Sequence, residues 1–433
     1  MKSSATTPGK LHTSTADVPP SLTPVAVMKF GGTSVANAAA IRRCAERVIA
    51  ARTAGCDVVV VVSAMGHTTD TLIALARDIT DAPSRREMDM LLATGEQVSI
   101  ALMTMALHAA CVAAVSMTGP QLGIVTDEVH SRARIRSIDA VRIQSVLDSG
   151  RVVVAAGFQG MTAGGDITTL GRGGSDTTAV ALAAALKAHD TDRTCSCDIF
   201  TDVTGVFTAD PRVVTNARLL DEISFEEMLE LAALGAGVMS HRAVAFGQKY
   251  NMPIRVRHAS GESPGTLIRE ETIDMEMQPV TGCAMRLNIG RISLRDIPNQ
   301  VGVQAQVFRQ IADRSLIVDD ILQTESQRGI NLSFTVDQDD LAEVRAAADA
   351  VIAELGSGSV GVEIGLGKVS VVGAGMQSQP GVASTMFSAI ADAGIAIRNI
   401  TTSEIKISCI VAAGDAPAAL QIVHDAFNLH VSP

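Results

Sequence analysis

A lysine and two adjacent glycines near the N-terminus form the clearest candidate site for an anion. The segment Lys-Phe-Gly-Gly-Thr-Ser-Val begins at Lys29, after an apolar run and before a stretch with helical spacing. Gly31 and Gly32 lack a Cβ, so their N–H groups can approach a ligand closely, and a helix N-terminus adds positive potential. The alternative is a plain turn with Thr33 or Ser34 as helix cap. We favour a phosphate site, because Lys29 would end a buried strand.

The order of these residues excludes one class of phosphate site. In the Walker loop of P-loop NTPases the lysine follows the glycines, whereas Lys29 precedes them. A second candidate anion site has the sequence Gly-Arg-Gly-Gly-Ser-Asp, starting at Gly171, and lies at the start of another predicted helix. Arg172 suits a carboxylate held by two parallel hydrogen bonds. The alternative, a glycine loop capped by Ser175 or Asp176, explains three glycines and an arginine less well.

Other polar residues lie at predicted strand ends or inside an apolar helix. Glu96 stands in an otherwise apolar helical pattern and needs a structural cation or a bound ammonium group; both readings stay open. Residues 201–212 follow a strand and contain two carboxylates and an arginine, which suits either a nucleotide-binding loop or an ordinary Asp-Pro turn. Ser63 and the hydroxyl residues 68–69 line either a pocket or a turn. Two anion sites on one sheet indicate phosphoryl transfer between a nucleotide and an acidic acceptor.

The elements that must position these residues alternate between β-like and helix-like segments from residue 25 to about residue 269. Strands are predicted at 25–30, 57–62, 111–117, 151–155, 197–201 and 254–258. The clearest helices are predicted at 38–52, about 87–109, 176–189 and 225–250. Such alternation is typical of a mostly parallel sheet with helices on both faces. Binding residues should then cluster where the strands end.

An internal repeat begins beyond residue 285. Residues 307–321 align without gaps with residues 386–400, and the aligned pairs include Phe308 with Phe387 and Ile321 with Ile400. Each copy follows a β-like run and precedes a further strand and helix, which predicts a βαββαβ unit of about 70 residues present twice. Two copies cannot form a solenoid, so we expect a side-by-side pair.

Composition bounds the functional class and the compartment. The chain has 433 residues, a net charge of −11, 3% aromatic residues and no tryptophan, which argues against nucleic-acid binding. Seven scattered cysteines predict a reducing, cytoplasmic compartment. The apolar stretch 98–115 divides into a helix and a strand, so we predict no membrane span. Residues 1–24 are rich in Ser, Thr and Pro, which predicts a disordered tail and no signal peptide.

The whole set of motifs, in order, closely resembles the bacterial aspartokinases. The matching segments are KFGGTSV, VVVVSAM, LLATGEQVSIALM, AGFQG, TTLGRGGSDTTAVALAAAL, GVFTADPR, SFEEMLELA, GMQSQPGVA and TSEIKIS. The resemblance implies an α/β fold: a three-layer αβα amino-acid-kinase domain (25–270) with a mostly parallel sheet, then two ferredoxin-like ACT modules (286–356 and 366–433). The C-terminal segment could instead complete the first module. The implied reaction transfers the γ-phosphoryl group of ATP to the side-chain carboxylate of L-aspartate, giving 4-phospho-L-aspartate, the first step towards lysine, threonine and methionine.

The resemblance also implies roles for individual residues. The implied catalytic residues are Lys29, Arg172 and Asp202. The implied ATP site comprises Lys29, Gly31, Gly32, Ser63, Thr201, Asp202, Phe207, Asp210, Arg212 and Lys249, with Mg²⁺ held through the ATP phosphates and no dedicated protein metal site. The implied aspartate site comprises Thr33, Ser34, Thr69, Glu96 (for the ammonium group), Phe158, Arg172, Gly173, Gly174 and Ser175. Phe207 stands where a tyrosine is usual, and Thr204 replaces a frequent aspartate.

By the same resemblance, lysine, threonine or both act as inhibitors that bind the ACT pair. The implied effector residues are Asp296, Gln323, Ser326, Thr402, Ser403 and Glu404. A homo-oligomer assembled through the ACT modules is also implied. Two rival functions stay open: another kinase of the superfamily acting on glutamate or N-acetylglutamate, and an amino-acid-sensing protein with an inactive kinase domain. The complete Thr33-Ser34 and Gly95-Glu96-Gln97 motifs and the paired repeats disfavour the first, and the retained charges of Lys29 and Arg172 disfavour the second.

Overall fold

A computed structural model describes residues 23–235, 237–261, 263–270, 278–314 and 316–431. Residues 1–22, most of the predicted tail, lie outside the described residues. The N-terminal part contains twelve described strands and seven described α-helices. The strands are β1 (Val25–Phe30), β2 (Asp57–Val62), β3 (Ala114–Met117), β4 (Ile124–Thr126), β5 (Ile135–Ile138), β6 (Val152–Ala156), β7 (Gln159–Thr162), β8 (Ile167–Thr169), β9 (Cys195–Thr201), β10 (Glu222–Ser224), β11 (Ile254–His258) and β12 (Thr266–Arg269). The helices are α1 (Ala38–Thr53), α2 (Thr68–Ile79), α3 (Arg85–Ala109), α4 (Ala140–Asp148), α5 (Gly174–His189), α6 (Phe225–Ala233) and α7 (His241–Lys249).

The central sheet has eight strands in the order β10-β12-β11-β9-β1-β2-β6-β3, and the pairs from β11 to β3 are parallel. The valine run of β2 is buried on both faces, as expected for a parallel sheet covered by helices. One core packs α4 to α7 on one face, and a second packs α1 and α3 on the other. The predicted three-layer αβα fold is thus confirmed.

Several element bounds differ from the predictions. The predicted helix 225–250 is two helices, because α6 ends at Ala233 with Leu234 as its C-cap, and Gly235 follows with a φ of +100°. The strand predicted from residue 111 begins at Ala114, since Cys111 adopts a left-handed turn with a φ of +59°. A small second sheet, β5-β4-β7-β8, was not predicted; its strands have three or four residues each.

Among the described helices, only α3 is long and apolar enough to cross a membrane by length and composition. Within its most apolar window, 44% of the residues are buried inside the protein. Ile100, Met103 and Leu107 of this helix belong to the core that covers β2 and β6. Packing of α3 against the sheet therefore accounts for these three side chains, whereas Val98, Leu102 and Met105 of the same helix are exposed.

The C-terminal part is a tandem of two similar units that share one six-stranded sheet, in the order β14-β15-β13-β16-β18-β17. In chain order its elements are β13 (Gly282–Ile297), α8 (Val303–Ala312), β14 (Asp319–Ser326), β15 (Gly329–Asp337), α9 (Leu341–Leu355), β16 (Ser359–Val372), α10 (Val382–Asp392), β17 (Asn399–Thr402), β18 (Lys406–Ala412) and α11 (Ala416–Ala426). The side-by-side repeat of strand, helix, two strands and helix agrees with the prediction.

The two units exchange strands through their long members β13 and β16. Residues 289–295 of β13 pair with residues 359–366 of β16 inside the first unit. Residues 282–286, at the start of β13, pair instead with residues 368–372 and complete the second unit. The exchanged segment therefore precedes the first unit. It is not the C-terminal segment considered above, whose helix α11 packs in the core of the second unit.

Glu227 joins α6 to this tandem. Its Oε2 accepts hydrogen bonds from the hydroxyl and N–H of Ser224, which completes a capping box at the start of α6. Its Oε1 accepts from Thr281 Oγ1 at 2.5 Å and from the N–H of Ala374 at 3.0 Å. One buried carboxylate thus ties the N-terminal part to the chain segments on both sides of the first unit.

Substituting Glu227→Ala should lower the free energy of unfolding by about 3 kcal/mol, because it removes a helix cap and leaves buried donors unpaired. Urea denaturation followed by circular dichroism measures the change. Glu226→Ala is the matched control, since Glu226 lies in the same helical turn but is exposed. Equal losses in the two variants would contradict the role of Glu227.

Candidate active site

Lys29 lies near the carboxyl end of β1, between the strands β2 and β9. Only 8% of the residue is exposed, and its Nζ is 2.6 Å from Asp176 Oδ1. The contact is an ion pair without the angular alignment of a hydrogen bond, since Oδ1 has no hydrogen-bond partner among the described residues. Asp176 compensates the buried charge, and Lys29 still has donors for a ligand.

The Gly31-Gly32 turn follows Lys29 and packs tightly on the loop after β2. A Cβ on Gly32 would lie 2.9 Å from the carbonyl oxygen of Ala64, and Gly66 donates its N–H to the Gly32 carbonyl at 3.0 Å. A one-turn 3₁₀ helix (Thr33–Val35) comes next. Any side chain larger than hydrogen at Gly32 would displace this loop.

The helix expected directly after this turn begins later. α1 starts at Ala38, and Asn37 caps it by accepting a hydrogen bond from the N–H of Ala40 at 3.0 Å. Thr33 and Ser34 therefore do not cap α1, and their hydroxyls remain at the turn. The helix N-terminus closest to Lys29 is that of α5, which carries Asp176 in its first turn.

The loop that carries Arg172 leads into α5. Gly171 and Gly173 have φ values of +78° and +68°, and a Cβ on Gly173 would lie 2.2 Å from that of Ser240. No side chain caps α5, so neither Ser175 nor Asp176 is the cap considered above. Arg172 is exposed and has no ion pair or hydrogen bond within the described ranges. A free guanidinium at an uncapped helix start is suited to an anionic ligand.

Glu96 is buried inside α3, with 3% of the residue exposed. Its Oε1 accepts the N–H of Ala64 at 3.0 Å, whereas its Oε2 is buried with no hydrogen-bond partner in the described chain. Burial raises the pKa of Glu96 from 4.5 to about 7. No structural cation pairs with it among the described residues, so the structure gives no support to that alternative.

Close packing brings the separate motifs together. Ala64 packs against Gly32 on one side and against Gly95 on the other. A Cβ added to Gly95 would lie only 2.8 Å from the Cβ of Ala64. The Glu96 carboxylate and the glycine turn thus share one wall. On α5, a Cβ on Gly157 would lie 2.7 Å from Ser175 Oγ. The strand ends of β1, β2 and β6 and the start of α5 therefore border one cleft.

The remaining aspartate-site candidates are distributed around this cleft. Phe158 follows β6 with a left-handed φ of +68°, and its Cδ2 lies 2.8 Å from where a Cβ on Gly174 would be. Thr178 Oγ1 accepts the Phe158 N–H at 3.1 Å and holds this strained residue. Thr69 lies in the first turn of α2, next to Thr68, whose methyl group is close to Gly95.

The nucleotide candidates follow β2 and β9, the two neighbours of β1. Ser63 donates its N–H to the Phe30 carbonyl at 3.2 Å, and Thr201 donates its hydroxyl to the exposed Asp202 at 3.1 Å. Farther along the loop Arg212 and Asp210 form an ion pair that lowers the pKa of Asp210. Phe207 lies between these pairs in a half-buried position.

Lys249 is not brought to the cleft. It ends α7, whose N-terminus contacts the start of α5 through Ser240 and Gly173. At the other end Lys187 Nζ donates to the carbonyl of Asn251 at 2.7 Å. Lys249 is followed by the start of β11, which is parallel to β9 and through it to β1, so Lys249 lies at the edge of the sheet opposite the carboxyl ends of these strands. The structure thus gives no support to an ATP contact for Lys249.

Comparison with known proteins matches residues 24–258 to the amino acid kinase family and residues 369–427 to an ACT domain. An aspartokinase of Geobacillus stearothermophilus is 49% identical over 407 residues, which are 94% of this chain and 97% of that protein. The chain belongs to the aspartokinase family. Membership of this family places the chain among the ATP-dependent aspartate kinases, which confirms the predicted fold class and the predicted enzyme class.

Two solved structures of E. coli aspartokinase III resemble this aspartokinase-family chain along most of its length. An R-state complex with aspartate and ADP has a TM-score of 0.76 at 27% identity, and it covers 93% of this chain and 99% of that chain. A T-state complex with lysine and aspartate has a TM-score of 0.70, with the same identity and coverage.

The Arg172 loop of this aspartokinase-family chain is held in place by two residues, Arg242 and Asp89, that the sequence analysis did not predict. Arg242 donates to the carbonyl of Leu170 and, at 2.9 Å, to that of Ala133. Asp89 is fully buried and accepts from the N–H of Ser131 at 2.9 Å and from Thr169 Oγ1. A charged residue inside the apolar pattern of α3 was the available signal for Asp89. No local pattern indicated Arg242.

Some of the predicted effector residues lie together in the first ACT unit. Asp296 has a φ of +51° and accepts a hydrogen bond from Ser326 Oγ at 2.7 Å. Gln323 lies on the same strand as Ser326 and accepts from Gln304 at 2.9 Å. Thr402 ends β17, and Ser403 and Glu404 lie in the turn from β17 to β18 in the second unit.

Proposed function

We propose that the cleft transfers the γ-phosphoryl group of ATP to the side-chain carboxylate of L-aspartate, giving 4-phospho-L-aspartate. The single observation that carries this proposal is the presence of two buried, opposite charges beside the glycine turn. Lys29 is a buried cation open to a phosphoryl group, and Glu96 is a buried carboxylate with one free oxygen, which an ammonium group would satisfy. A site that transfers a phosphoryl group to an amino acid needs both a cation for the phosphoryl group and a carboxylate for the ammonium group.

Each charged group has a distinct part in this reaction. Lys29 stabilises the charge that spreads over the migrating phosphoryl group, and Asp176 holds its Nζ in place. Glu96 binds the aspartate ammonium group, while Arg172 and Ser175 bind its carboxylates, with Thr33, Ser34, Thr69, Phe158, Gly173 and Gly174 around them. Phosphoryl transfer needs positioning and charge neutralisation more than a covalent catalyst. The described cleft supplies these two requirements.

The nucleotide would lie along the ends of β1, β2 and β9. We assign its contacts to Gly31, Gly32, Ser63, Thr201, Asp202, Phe207, Asp210 and Arg212, and omit Lys249. Mg²⁺ prefers oxygen ligands and usually binds through one or two carboxylates together with substrate phosphates. The exposed Asp202, with the Thr201 hydroxyl beside it, offers such oxygens at the cleft. Magnesium bound there would neutralise phosphate charge.

Regulation is proposed to act through the ACT modules, which we place at 286–356 and 366–433 after a catalytic domain at 25–270. Lysine, threonine or both would bind at Asp296, Gln323 and Ser326 and at the 402–404 turn, and would report the supply of the end products lysine, threonine and methionine. The lysine complex of E. coli aspartokinase III supports this proposal.

The exposed edge strand β14, with Ile321 and Leu322, supports assembly of a homo-oligomer through these modules. All seven cysteines are free thiols, which supports a cytoplasmic location.

The pH dependence of aspartate binding follows from Glu96. Burial raises its pKa to about 7, and only the ionised carboxylate pairs with ammonium. The KM for aspartate should therefore rise roughly tenfold as the pH falls from 8 to 6, because most of the free enzyme becomes protonated at Glu96. Initial rates across this range measure the effect. A KM that stays constant would contradict the assigned role.

The experiment that tests the reaction compares ADP release with L-aspartate, L-glutamate and N-acetyl-L-glutamate as acceptors. We expect turnover with aspartate and little with the other two, because an acetylated amine cannot pair with Glu96 and the longer side chain misplaces its carboxylate. A preference for glutamate would overturn the proposal. Binding of lysine or threonine without any ATP turnover would show an amino-acid sensor.

A further inference from the structure

Two histidines and an aspartate lie together at the end of α11, outside the proposed active site. His424 and Asp425 belong to the last turn of α11. The chain then reverses through Asn428, whose φ is +52°, and Leu429 donates its N–H to the His424 carbonyl at 3.2 Å. This turn brings the His430 ring to 6.4 Å from the His424 ring, measured between centroids.

His424 has one ring nitrogen satisfied and one without a partner. The residue is fully buried, and its Nε2 is 3.0 Å from Thr208 Oγ1. Its Nδ1 is buried without a hydrogen bond inside the described ranges, and the nearest carboxylate oxygen, of Asp425, is 3.6 Å away, too far for one. A buried polar nitrogen left unpaired is costly, so a missing partner is indicated.

The contact between Nε2 and Thr208 is compatible with the tautomer that leaves Nδ1 as a lone-pair donor. Thr208 Oγ1 already accepts the N–H of Arg218 at 2.9 Å and keeps a second lone pair. If Nε2 donates its proton to Thr208, Nδ1 is unprotonated and free to bind a metal.

One ligand atom from each of the three residues lies within 4.8 Å of the other two. A tetrahedral zinc site requires ligand atoms about 3.3 Å apart, a change that the exposed side chains of Asp425 and His430 can supply by rotation. Asp425 also accepts from Asn216 at 3.0 Å and from Gln421 at 2.9 Å. Such second contacts orient metal ligands.

We propose that His424 Nδ1, Asp425 and His430 bind a zinc ion, with water at the fourth position. Two imidazoles and a carboxylate suit Zn²⁺ and disfavour the hard Mg²⁺ ion, which prefers oxygen ligands only. The site lies at a junction, because Thr208 belongs to the 201–212 loop and α11 belongs to the second ACT unit. Bound zinc fixes the end of α11 against this loop. The proposal does not depend on the assigned reaction.

The test titrates the full chain with zinc chloride by calorimetry after treatment with a chelator and dialysis, without nucleotide or Mg²⁺. We expect one tight equivalent of zinc for the wild type, and an affinity lower by about 100-fold for both His430→Ala and Asp425→Asn. His189→Ala is the matched control, since His189 is an exposed histidine at the end of α5. It should bind zinc as the wild type does.

A second readout is the thermal midpoint. Zinc should raise the midpoint of the wild type and of His189→Ala, and leave that of His430→Ala unchanged. The absence of a stoichiometric zinc ion in the wild type would overturn the proposal. Equal zinc affinity in the wild type and both site variants would overturn it as well, since the metal would then be bound elsewhere.

Discussion

Replacing Lys29 by methionine is expected to lower kcat by about 10³-fold, while the affinity for aspartate changes by a few-fold at most. Methionine keeps the unbranched stem of the side chain and removes only the charge. That charge stabilises the transition state more than the ground state, because negative charge redistributes over the transferring phosphoryl group. Steady-state rates at saturating ATP and aspartate measure kcat, and calorimetric titration measures aspartate binding.

Lys187→Met is the matched control for this experiment. Lys187 lies at the far end of α5 and donates to the Asn251 carbonyl, so its loss leaves the cleft intact. Circular dichroism checks that Lys29→Met still folds, since the variant leaves Asp176 without its ion-pair partner. An unchanged kcat in folded Lys29→Met would remove Lys29 from the phosphoryl site.

The second large effect concerns Glu96. Glu96→Gln preserves the acceptor for the Ala64 N–H but removes the negative charge, so kcat/KM for aspartate should fall by at least about 10²-fold. The KM for ATP should stay nearly constant, because the carboxylate contacts the aspartate ammonium group and not the nucleotide. Rates measured with one substrate varied at a time separate the two constants.

The same substitution should stabilise the empty protein at pH 8. The pKa of Glu96 is raised from 4.5 to about 7 in the fold, so its contribution to stability is fully present below pH 4.5 and is lost as the pH rises through 7. Glutamine carries no charge and avoids this loss. Higher stability together with lower activity identifies a binding carboxylate. Glu87→Gln, an exposed position on the same helix, should change neither quantity.

The sequence predicted best those elements whose burial imposes their pattern. The bounds of β1, β2 and β11 agree with the predictions. β1 and β2 are buried on both faces and appear as largely apolar runs, whereas β11 shows the alternation of apolar and charged residues that is typical of a half-buried strand. The Lys29 turn and the Arg172 loop also appeared at strand and helix ends as expected. Glycines with positive φ, such as Gly173, leave a signal that a single sequence displays directly.

Other features depend on contacts between distant residues and leave no local pattern. The ion pair of Lys29 with Asp176 and the clamp of Arg242 on the Arg172 loop join segments far apart in the chain. The strand exchange at residues 282–286 likewise depends on pairing across the repeat. Lys249 was predicted to contact ATP, but it lies near the C-terminal end of α5, whereas the cleft is at the start of this helix.

The position of the transferred phosphoryl group tests the central claim most directly. Acyl phosphates react with hydroxylamine, so the product formed from ATP and aspartate can be trapped as a hydroxamate and identified by mass spectrometry and NMR. The arrangement of Lys29, Glu96 and Arg172 predicts the side-chain (β) hydroxamate of L-aspartate, formed in proportion to ADP. ADP release without any hydroxamate, or a hydroxamate on the α-carboxylate, would contradict the proposed function.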